Sequence, residues 1–87
     1  MRTQPSEKDY KVLDFMSQFC LDNYMPPSTR EIANAFETST SVAIYYIDRL
    51  VRFGLVKKVD GIARGAVPVY IIEIFEKEKE SINVPEA

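Results

Sequence analysis

The sequence predicts a mainly α-helical domain with a small β element, in which three helices are followed by a wing of two or three strands. Apolar residues recur at helical spacing over residues 7–23 and in two shorter segments between residues 28 and 54. A proline pair and a run rich in hydroxyl side chains separate these three segments. After residue 54 the pattern changes to β-branched stretches around a loop with two glycines. This order of elements is typical of a winged helix-turn-helix.

The first helix is predicted over about residues 7–23. Ser6 is a suitable N-cap, and Asp9 places a carboxylate in the first turn, where it suits the helix dipole. The apolar stripe of this helix includes Cys20, which is expected to be a buried small hydrophobe and not a reactive thiol. Phe15 lies off the stripe, so two alternatives stay open: packing under a neighbouring segment, or partial exposure.

Residues 26–54 contain the second and third helices. The proline pair at the start of this segment cannot continue a preceding helix, because proline lacks an amide donor. Ser28 and Glu31 have the spacing of a capping box, which predicts that the second helix begins there. The third helix follows the hydroxyl-rich run and is expected to stop at Gly54 in the left-handed conformation. Its predicted apolar stripe is Ala43, Ile47 and Leu50.

The wing is predicted from two β-type stretches that follow the third helix. The first strand covers residues 55–59, and the second covers about residues 67–75. Pro68 lacks a donor amide, which indicates the start of that strand or an unpaired edge position. Residues 1–75 are therefore predicted to be the winged domain, and residues 76–87, with their alternating charges, a flexible C-terminal tail.

The composition excludes several classes of protein. Histidine is absent, which removes the usual general base and the commonest metal ligand, so neither an enzyme nor a cofactor or metal site is expected. The single cysteine excludes an internal disulfide. There is no apolar run long enough to span a bilayer and no signal peptide, so we expect no membrane association and a cytoplasmic location.

The distribution of charge permits contact with nucleic acid, although the formal net charge is −2. Acidic residues outnumber basic ones in residues 1–37 and in residues 73–87. Basic residues are in excess in residues 38–72, which include the third helix and the wing. A local cationic patch is what contact with phosphates requires, so the overall negative charge does not exclude it.

The segment Met25–Ala33, MPPSTREIA, resembles the entry to the second helix of the LexA repressor DNA-binding domain family. The similarity continues through the apolar pattern that ends at Gly54 and through the wing segment 60–65, DGIARG, and covers about residues 7–72. The resemblance implies a regulator of transcription, expected to be a repressor, that binds a specific site in double-stranded DNA. It also implies that the third helix enters the major groove and that the wing lies on the backbone.

Two departures from the family limit what the resemblance implies. The full LexA repressor carries a C-terminal self-cleaving peptidase domain that also makes the dimer, and this chain stops before such a domain would begin, so self-cleavage is not expected. The family presents polar and acidic residues at the start of its third helix, whereas the matching positions here are more apolar. The family's operator sequence is therefore not carried over. The matching positions are Ser39, Ser41, Val42, Ile44 and Tyr45.

The candidate DNA contacts follow from this resemblance and from the side of the third helix that is expected to face outward. Hydroxyl groups there could bond to base edges or phosphates, and Val42 and Ile44 could touch thymine methyl groups. Thr29 and Arg30 lie where a helix N-terminus favours a phosphate. The cations of the wing would contact the backbone or the minor groove. The full set is Thr29, Arg30, Ser39, Thr40, Ser41, Val42, Ile44, Tyr45, Arg49, Lys57, Lys58 and Arg64.

Other interpretations of the surface formed by Val42, Ile44 and Tyr45 stay open. One is that Ile44 and Tyr45 are partly buried against a neighbouring loop. Another is that the surface binds a protein partner, such as another regulator or a polymerase subunit, because exposed apolar clusters often mark interfaces. A single module with few cations is expected to bind DNA weakly, which favours a homodimer on a palindromic or direct-repeat site.

Overall fold

The structure, a computed structural model, describes residues 4–59, 61 and 64–82, with side chains as far as residue 77. Within these residues the chain forms four helices and a two-stranded antiparallel sheet. The predicted winged helix-turn-helix, with three helices followed by a hairpin, is confirmed, and the fourth helix was not predicted. The elements are α1 (Glu7–Asn23), α2 (Thr29–Ala35), α3 (Thr40–Arg52), β1 (Val56–Lys58), β2 (Ala66–Pro68) and α4 (Val69–Ile82).

Helix α1 begins at a capping box, which confirms Ser6 as its N-cap. The Asp9 amide donates to the Ser6 hydroxyl at 3.2 Å, and the Ser6 amide donates to the Asp9 carboxylate at 2.7 Å. The helix ends at Asn23 and is capped by Tyr24, which has a left-handed backbone (φ 58°) and donates its amide to the Cys20 carbonyl. Both ends of α1 thus satisfy backbone groups that would otherwise lack a partner.

Helices α2 and α3 also begin at caps formed by serine. The Ser28 amide donates to the Glu31 carboxylate at 2.8 Å, and the Glu31 amide donates to the Ser28 hydroxyl at 3.1 Å, so the predicted capping box is confirmed. The Val42 amide donates to the Ser39 hydroxyl at 3.2 Å at the start of α3. Gly54 follows α3 with φ 79°, which is the left-handed conformation expected at this stop.

The hydrophobic core lies where the first three helices meet the sheet. Cys20 is buried, as predicted, and burial raises the pKa of its thiol. Phe15 packs against the core, with its ring 5.8 Å from that of Phe36 and 6.0 Å from that of Phe19, and it stays partly exposed, so both of its alternatives hold in part. The buried cluster consists of Val12, Met16, Ile32, Ala33, Ala43, Ile47, Leu50, Val56 and Ala66.

The wing is a short hairpin. Strands β1 and β2 pair antiparallel, with Val56 opposite Pro68. Toward the loop, the Val59 amide donates to the Gly65 carbonyl at 3.0 Å. The hairpin follows α3 directly, so its position relative to that helix is fixed by the turn at Gly54 and by the burial of Val56 in the core.

The prediction of the second strand is wrong beyond residue 68. Strand β2 ends at Pro68, and residues 69–75 belong to α4. The apolar, β-branched composition of this segment suits a strand, but the charged residues that follow allow it to continue as an amphipathic helix. Ile71 is buried in that helix, and the exposed positions recur at helical spacing: Tyr70, Glu73, Glu76 and Lys77.

Helix α4 crosses the predicted boundary between the domain and the tail. Residues 76–82 continue the helix, so no break in secondary structure marks the boundary after residue 75. The last part of the predicted tail, residues 83–87, lies outside the described residues. Helix α4 packs against α1 and β2. Neither α4 nor any other helix in the described part of the chain has the length and apolar character needed to cross a bilayer.

Candidate nucleic-acid interface

Helix α3 keeps one continuous side exposed. Its opposite side buries the predicted stripe of Ala43, Ile47 and Leu50 in the core. The exposed side chains recur every three or four residues, which places them in one row along the helix. This row, which we call the α3 face, consists of Ser41, Ile44, Tyr45, Asp48 and Arg52. Thr40 and Val42 are also exposed and flank its N-terminal end.

Large apolar side chains are exposed on the α3 face and beside its N-terminal end. The side chains are 38% exposed at Val42, 43% at Ile44 and 52% at Tyr45. Ile44 and Tyr45 are thus partly covered and partly exposed, and the ring contacts of Tyr45 are with Tyr46 and Arg49 of its own helix. Apolar and hydroxyl groups side by side can contact thymine methyls and base edges, and they can also form the centre of a protein interface.

The ring of Tyr45 is supported by its neighbours in the middle of the α3 face. The Tyr46 ring lies edge-on to it, with 5.2 Å between the centroids. The Arg49 guanidinium carbon lies 5.7 Å from the Tyr45 centroid and 5.6 Å from the Phe53 centroid. These contacts favour one orientation of the ring, so the exposed part of Tyr45 is presented in a defined way.

The Arg49 guanidinium forms an ion pair with the buried side chain of Asp9. Its Nε donates to Asp9 Oδ1 at 2.9 Å, and its Nη2 donates to Oδ2 at 2.7 Å. Asp9 has no solvent exposure, and it also accepts hydrogen bonds from the amide and the hydroxyl of Ser6. The hydrogen bonds from Arg49 lower the pKa of Asp9 to about 2, against the opposing effect of burial. The pair ties the start of α1 to α3.

The Arg64 guanidinium reaches from the wing to the start of α2. Its Nη1 donates to Glu31 Oε1 at 2.7 Å and to the Pro26 carbonyl at 3.0 Å, and its Nη2 donates to Glu31 Oε2 at 3.0 Å. The guanidinium carbon also lies 5.9 Å from the Phe19 ring centroid. Hydrogen bonds from Arg64, followed by the one from the Ser28 amide, lower the pKa of Glu31 to about 2.

Both arginines were predicted to contact DNA, and the structure places both in internal ion pairs. In each pair the acid is the third residue of a helix and also closes that helix's capping box. Sequence reasoning identified Glu31 only as a cap and Asp9 only as a first-turn carboxylate. The pairing has no local signal, because Arg49 is 40 residues from Asp9 and Arg64 is 33 residues from Glu31.

The remaining predicted cations lie on the surface. Lys58 Nζ lies 3.6 Å from a carboxylate oxygen of Asp48, so this exposed pair links the wing to the α3 face. Lys57 is exposed at the preceding position of β1, and Arg30 is exposed in the first turn of α2. In the part of the chain that the structure describes, no ion pair is formed by Lys57, Arg30 or Arg52. These three charges can therefore approach a phosphate without first breaking an internal contact.

The predicted hydroxyl contacts differ in how accessible they are. Thr40 and Ser41 are exposed at the start of α3, and Thr29 is half-buried at the start of α2. The hydroxyl of Ser39 is already used as the N-cap of α3. Over the described residues, histidine, cysteine, aspartate and glutamate side chains form no group of three that could hold a metal ion.

Comparison with known proteins identifies the relatives of this chain. The family model described as the LexA DNA binding domain matches residues 3–65. The chain is also 41% identical over 59 residues to a LexA repressor of Acetivibrio thermocellus, an alignment that covers 67% of this chain and 28% of that relative. The chain therefore corresponds to about 28% of the length of the relative. The family match includes the first three helices and β1, and α4 lies outside it.

Proposed function

Because this chain belongs to the LexA DNA-binding domain family, we propose that it acts as a repressor of transcription by binding a specific site in double-stranded DNA. In this proposal α3 enters the major groove, the wing lies along the backbone, and the domain catalyses no reaction. The single observation that supports it most is the exposed α3 face, at the position where a helix-turn-helix contacts bases. Membership of the family agrees with the resemblance carried by Met25–Ala33 and the wing.

The α3 face suits a major groove in size and in chemistry. The groove is about 12 Å wide and admits one α-helix. Helix-turn-helix proteins contact base edges mainly with the N-terminal residues of the recognition helix. On α3 these are Ser41, Ile44 and Tyr45, which offer two hydroxyl groups and one apolar side chain. We therefore place the base contacts on these residues, with Thr40 and Val42 beside them.

The backbone contacts in this proposal come from α2 and the wing. Thr29 and Arg30 lie at the start of α2, and Lys57 and Lys58 lie on β1, which follows α3. So few cations give weak binding to one site, because phosphate contacts supply much of the affinity of DNA-binding proteins. We therefore propose that two copies of the chain bind paired half-sites. We also propose that the protein is located in the cytoplasm.

Protein recognition is the second candidate function. The observation that favours it is the exposure of Val42, Ile44 and Tyr45, because contiguous apolar side chains on a surface often mark a protein interface. A partner would then be another regulator or a polymerase subunit. A pull-down tests this function. The result that would favour it is a protein partner that binds the unmodified chain but not the Tyr45→Ala variant, while the two chains bind duplex DNA equally well.

Selection of bound fragments from genomic DNA tests the proposed function directly. The expected result is enrichment of a small set of fragments that share one motif, and this motif supplies the duplex for all later titrations. Failure to enrich any duplex would contradict the proposal and favour the protein partner. The selection does not depend on an assumed operator, because the sequences of the bound fragments reveal the site.

The salt dependence of binding should identify Lys57 as a phosphate contact. Binding releases counterions from each neutralised phosphate, so affinity should fall steeply with salt. Lys57→Gln is expected to reduce the slope of log affinity against log salt concentration by about one. Lys77→Gln is the matched control, since it removes the same charge from an exposed position on α4. Equal slopes for the two variants would remove Lys57 from the interface.

A further inference from the structure

We propose that Arg64 promotes DNA binding by neutralising Glu31 and holding the wing against α2, and that it does not itself contact a phosphate. This inference rests on the proposed function, because it concerns how the wing and α2 meet the DNA backbone. It replaces the phosphate contact that the sequence predicted for Arg64. Four observations support it: the hydrogen bonds of the guanidinium, the charge at the start of α2, the attachment of the wing, and a second ion pair of the same design.

The guanidinium of Arg64 already uses both of its terminal nitrogens in internal hydrogen bonds. A guanidinium has five N–H donors, and it can bind a carboxylate or a phosphate with two parallel bonds through its two terminal nitrogens. In this structure both terminal nitrogens donate to the two carboxylate oxygens of Glu31, and Nη1 also donates to the Pro26 carbonyl. A phosphate could take this place only by displacing the carboxylate.

Arg64 also removes a negative charge from the place where a phosphate is proposed to bind. The Glu31 carboxylate lies in the first turn of α2, the turn that begins at Thr29 and exposes Arg30. Glu31 accepts the Ser28 amide as part of the capping box, so the helix needs an oxygen acceptor at this position. Without Arg64 the carboxylate would repel a nearby phosphate.

The same contacts attach the loop of the wing to the body of the domain. Arg64 lies between β1 and β2, and its guanidinium contacts Pro26 before α2 and the Phe19 ring on α1. A loop held at this point has fewer conformations to lose when DNA binds. The exposed lysines of β1 belong to the same hairpin, so the attachment also helps to set where they lie.

The ion pair between Arg49 and Asp9 has the same arrangement at the start of another helix, α1. Its acid is again the third residue of a helix and a member of the capping box, and its arginine again comes from an element proposed to contact DNA. The start of α1 therefore holds α3, as the start of α2 holds the wing. Two such pairs in one small domain indicate that these arginines position the elements that contact DNA.

A double-mutant cycle on Arg64 and Glu31 tests the inference. The variants are Arg64→Gln, Glu31→Gln and the combination of both, and glutamine at residue 31 can still accept the Ser28 amide. Both side chains are about one third exposed, so all three variants are expected to fold, which circular dichroism will verify. Affinity for a fluorescein-labelled duplex carrying the selected motif is measured by anisotropy over a range of salt concentrations.

The single and double variants are expected to behave differently. Arg64→Gln should weaken binding by about tenfold, because the Glu31 carboxylate is left unpaired. The double variant should recover to within about threefold of the unmodified chain, and the difference that remains measures the lost contact between the wing and α2. It should keep the salt slope of the unmodified chain, because no phosphate contact is lost. Glu31→Gln alone should bind within about threefold of the unmodified chain.

A different outcome would show that Arg64 is a phosphate contact. The double variant would then stay as weak as Arg64→Gln, and its salt slope would be smaller by about one. That result would overturn the inference and leave the proposed function standing. If the unmodified chain bound neither the selected duplex nor any other duplex in the same titrations, the proposed function itself would fail.

Discussion

Replacing Asp9 with asparagine is expected to lower the free energy of unfolding at pH 7 by roughly 2 kcal/mol. Asparagine can still cap α1, but it leaves the Arg49 guanidinium, whose side chain is only 19% exposed, without its counter-charge. In a chain of 87 residues this loss corresponds to a fall in melting temperature of about 10 °C. Thermal and urea unfolding followed by circular dichroism will measure the two quantities.

The difference in stability between the Asp9→Asn variant and the unmodified chain is expected to shrink in acid. The pKa of Asp9 is lowered to about 2 in the folded chain, whereas the pKa of an aspartate in an unfolded chain is about 3.9. Between these values the unfolded chain binds more protons, so acid favours unfolding. The stabilisation by Asp9 is thus complete above about pH 5 and is lost as the pH falls toward about 2. Glu31, whose pKa is lowered in the same direction, adds a pH dependence that both chains share.

Asp14→Asn is the matched control for this prediction. Asp14 is an exposed carboxylate on the same helix and forms no ion pair among the described residues, so its loss changes the net charge equally. Its replacement should change the free energy of unfolding by no more than about 0.5 kcal/mol. Equal effects of the two substitutions, or an Asp9→Asn variant as stable at pH 7 as the unmodified chain, would contradict the role assigned to the ion pair.

Replacing Tyr45 with alanine is expected to weaken binding to the selected duplex by about 30-fold. The Tyr45 side chain lies in the middle of the α3 face, and its ring is already supported by Tyr46 and Arg49. Little further ordering is therefore needed when it meets a base. Because the side chain is 52% exposed, the fold should lose little stability. Anisotropy titration at one fixed salt concentration, on folded variants, will measure the change in affinity.

Tyr70→Ala controls for the general effect of removing an exposed aromatic ring. Tyr70 is 63% exposed and lies on α4, outside the residues that match the family, so its removal should leave the affinity unchanged. Tyr45→Phe then separates the hydroxyl from the ring: retained affinity assigns the contact to the ring, and lost affinity assigns it to the hydroxyl. A Tyr45→Ala variant that binds the duplex as tightly as the unmodified chain would exclude Tyr45 from the DNA interface.

The features that were predictable from the sequence depend on residues close together in the chain. The capping box at Ser28 and Glu31, the N-cap at Ser6 and the stop at Gly54 each need only a few neighbouring residues, and all are present. The buried stripe of α3 follows from helical periodicity, so the exposed α3 face on its other side was also predictable. This is why Ser41, together with its neighbours on that side, was placed correctly on the surface.

The features that were not predictable depend on the folded chain. The partners of Arg49 and Arg64 lie on other elements. In the sequence, an arginine that forms such an ion pair therefore looks the same as a cation that is free on the surface. The apolar segment 69–75 suits a strand when it is considered alone. It becomes helical with the charged residues that follow it, and Ile71 is then buried on the side facing the body of the domain. Tertiary packing decides such cases.

Mapping the surface that meets DNA tests the central claim most directly. The measurement is the change in backbone amide NMR signals when the selected duplex is added to the isotopically labelled chain. We expect the largest changes along the α3 face, at the start of α2 and in β1, with small changes at Tyr70 and its neighbours on α4. Changes confined to α4 or to the outer side of α1, with α3 unaffected, would contradict the claim that α3 is the element that enters the major groove.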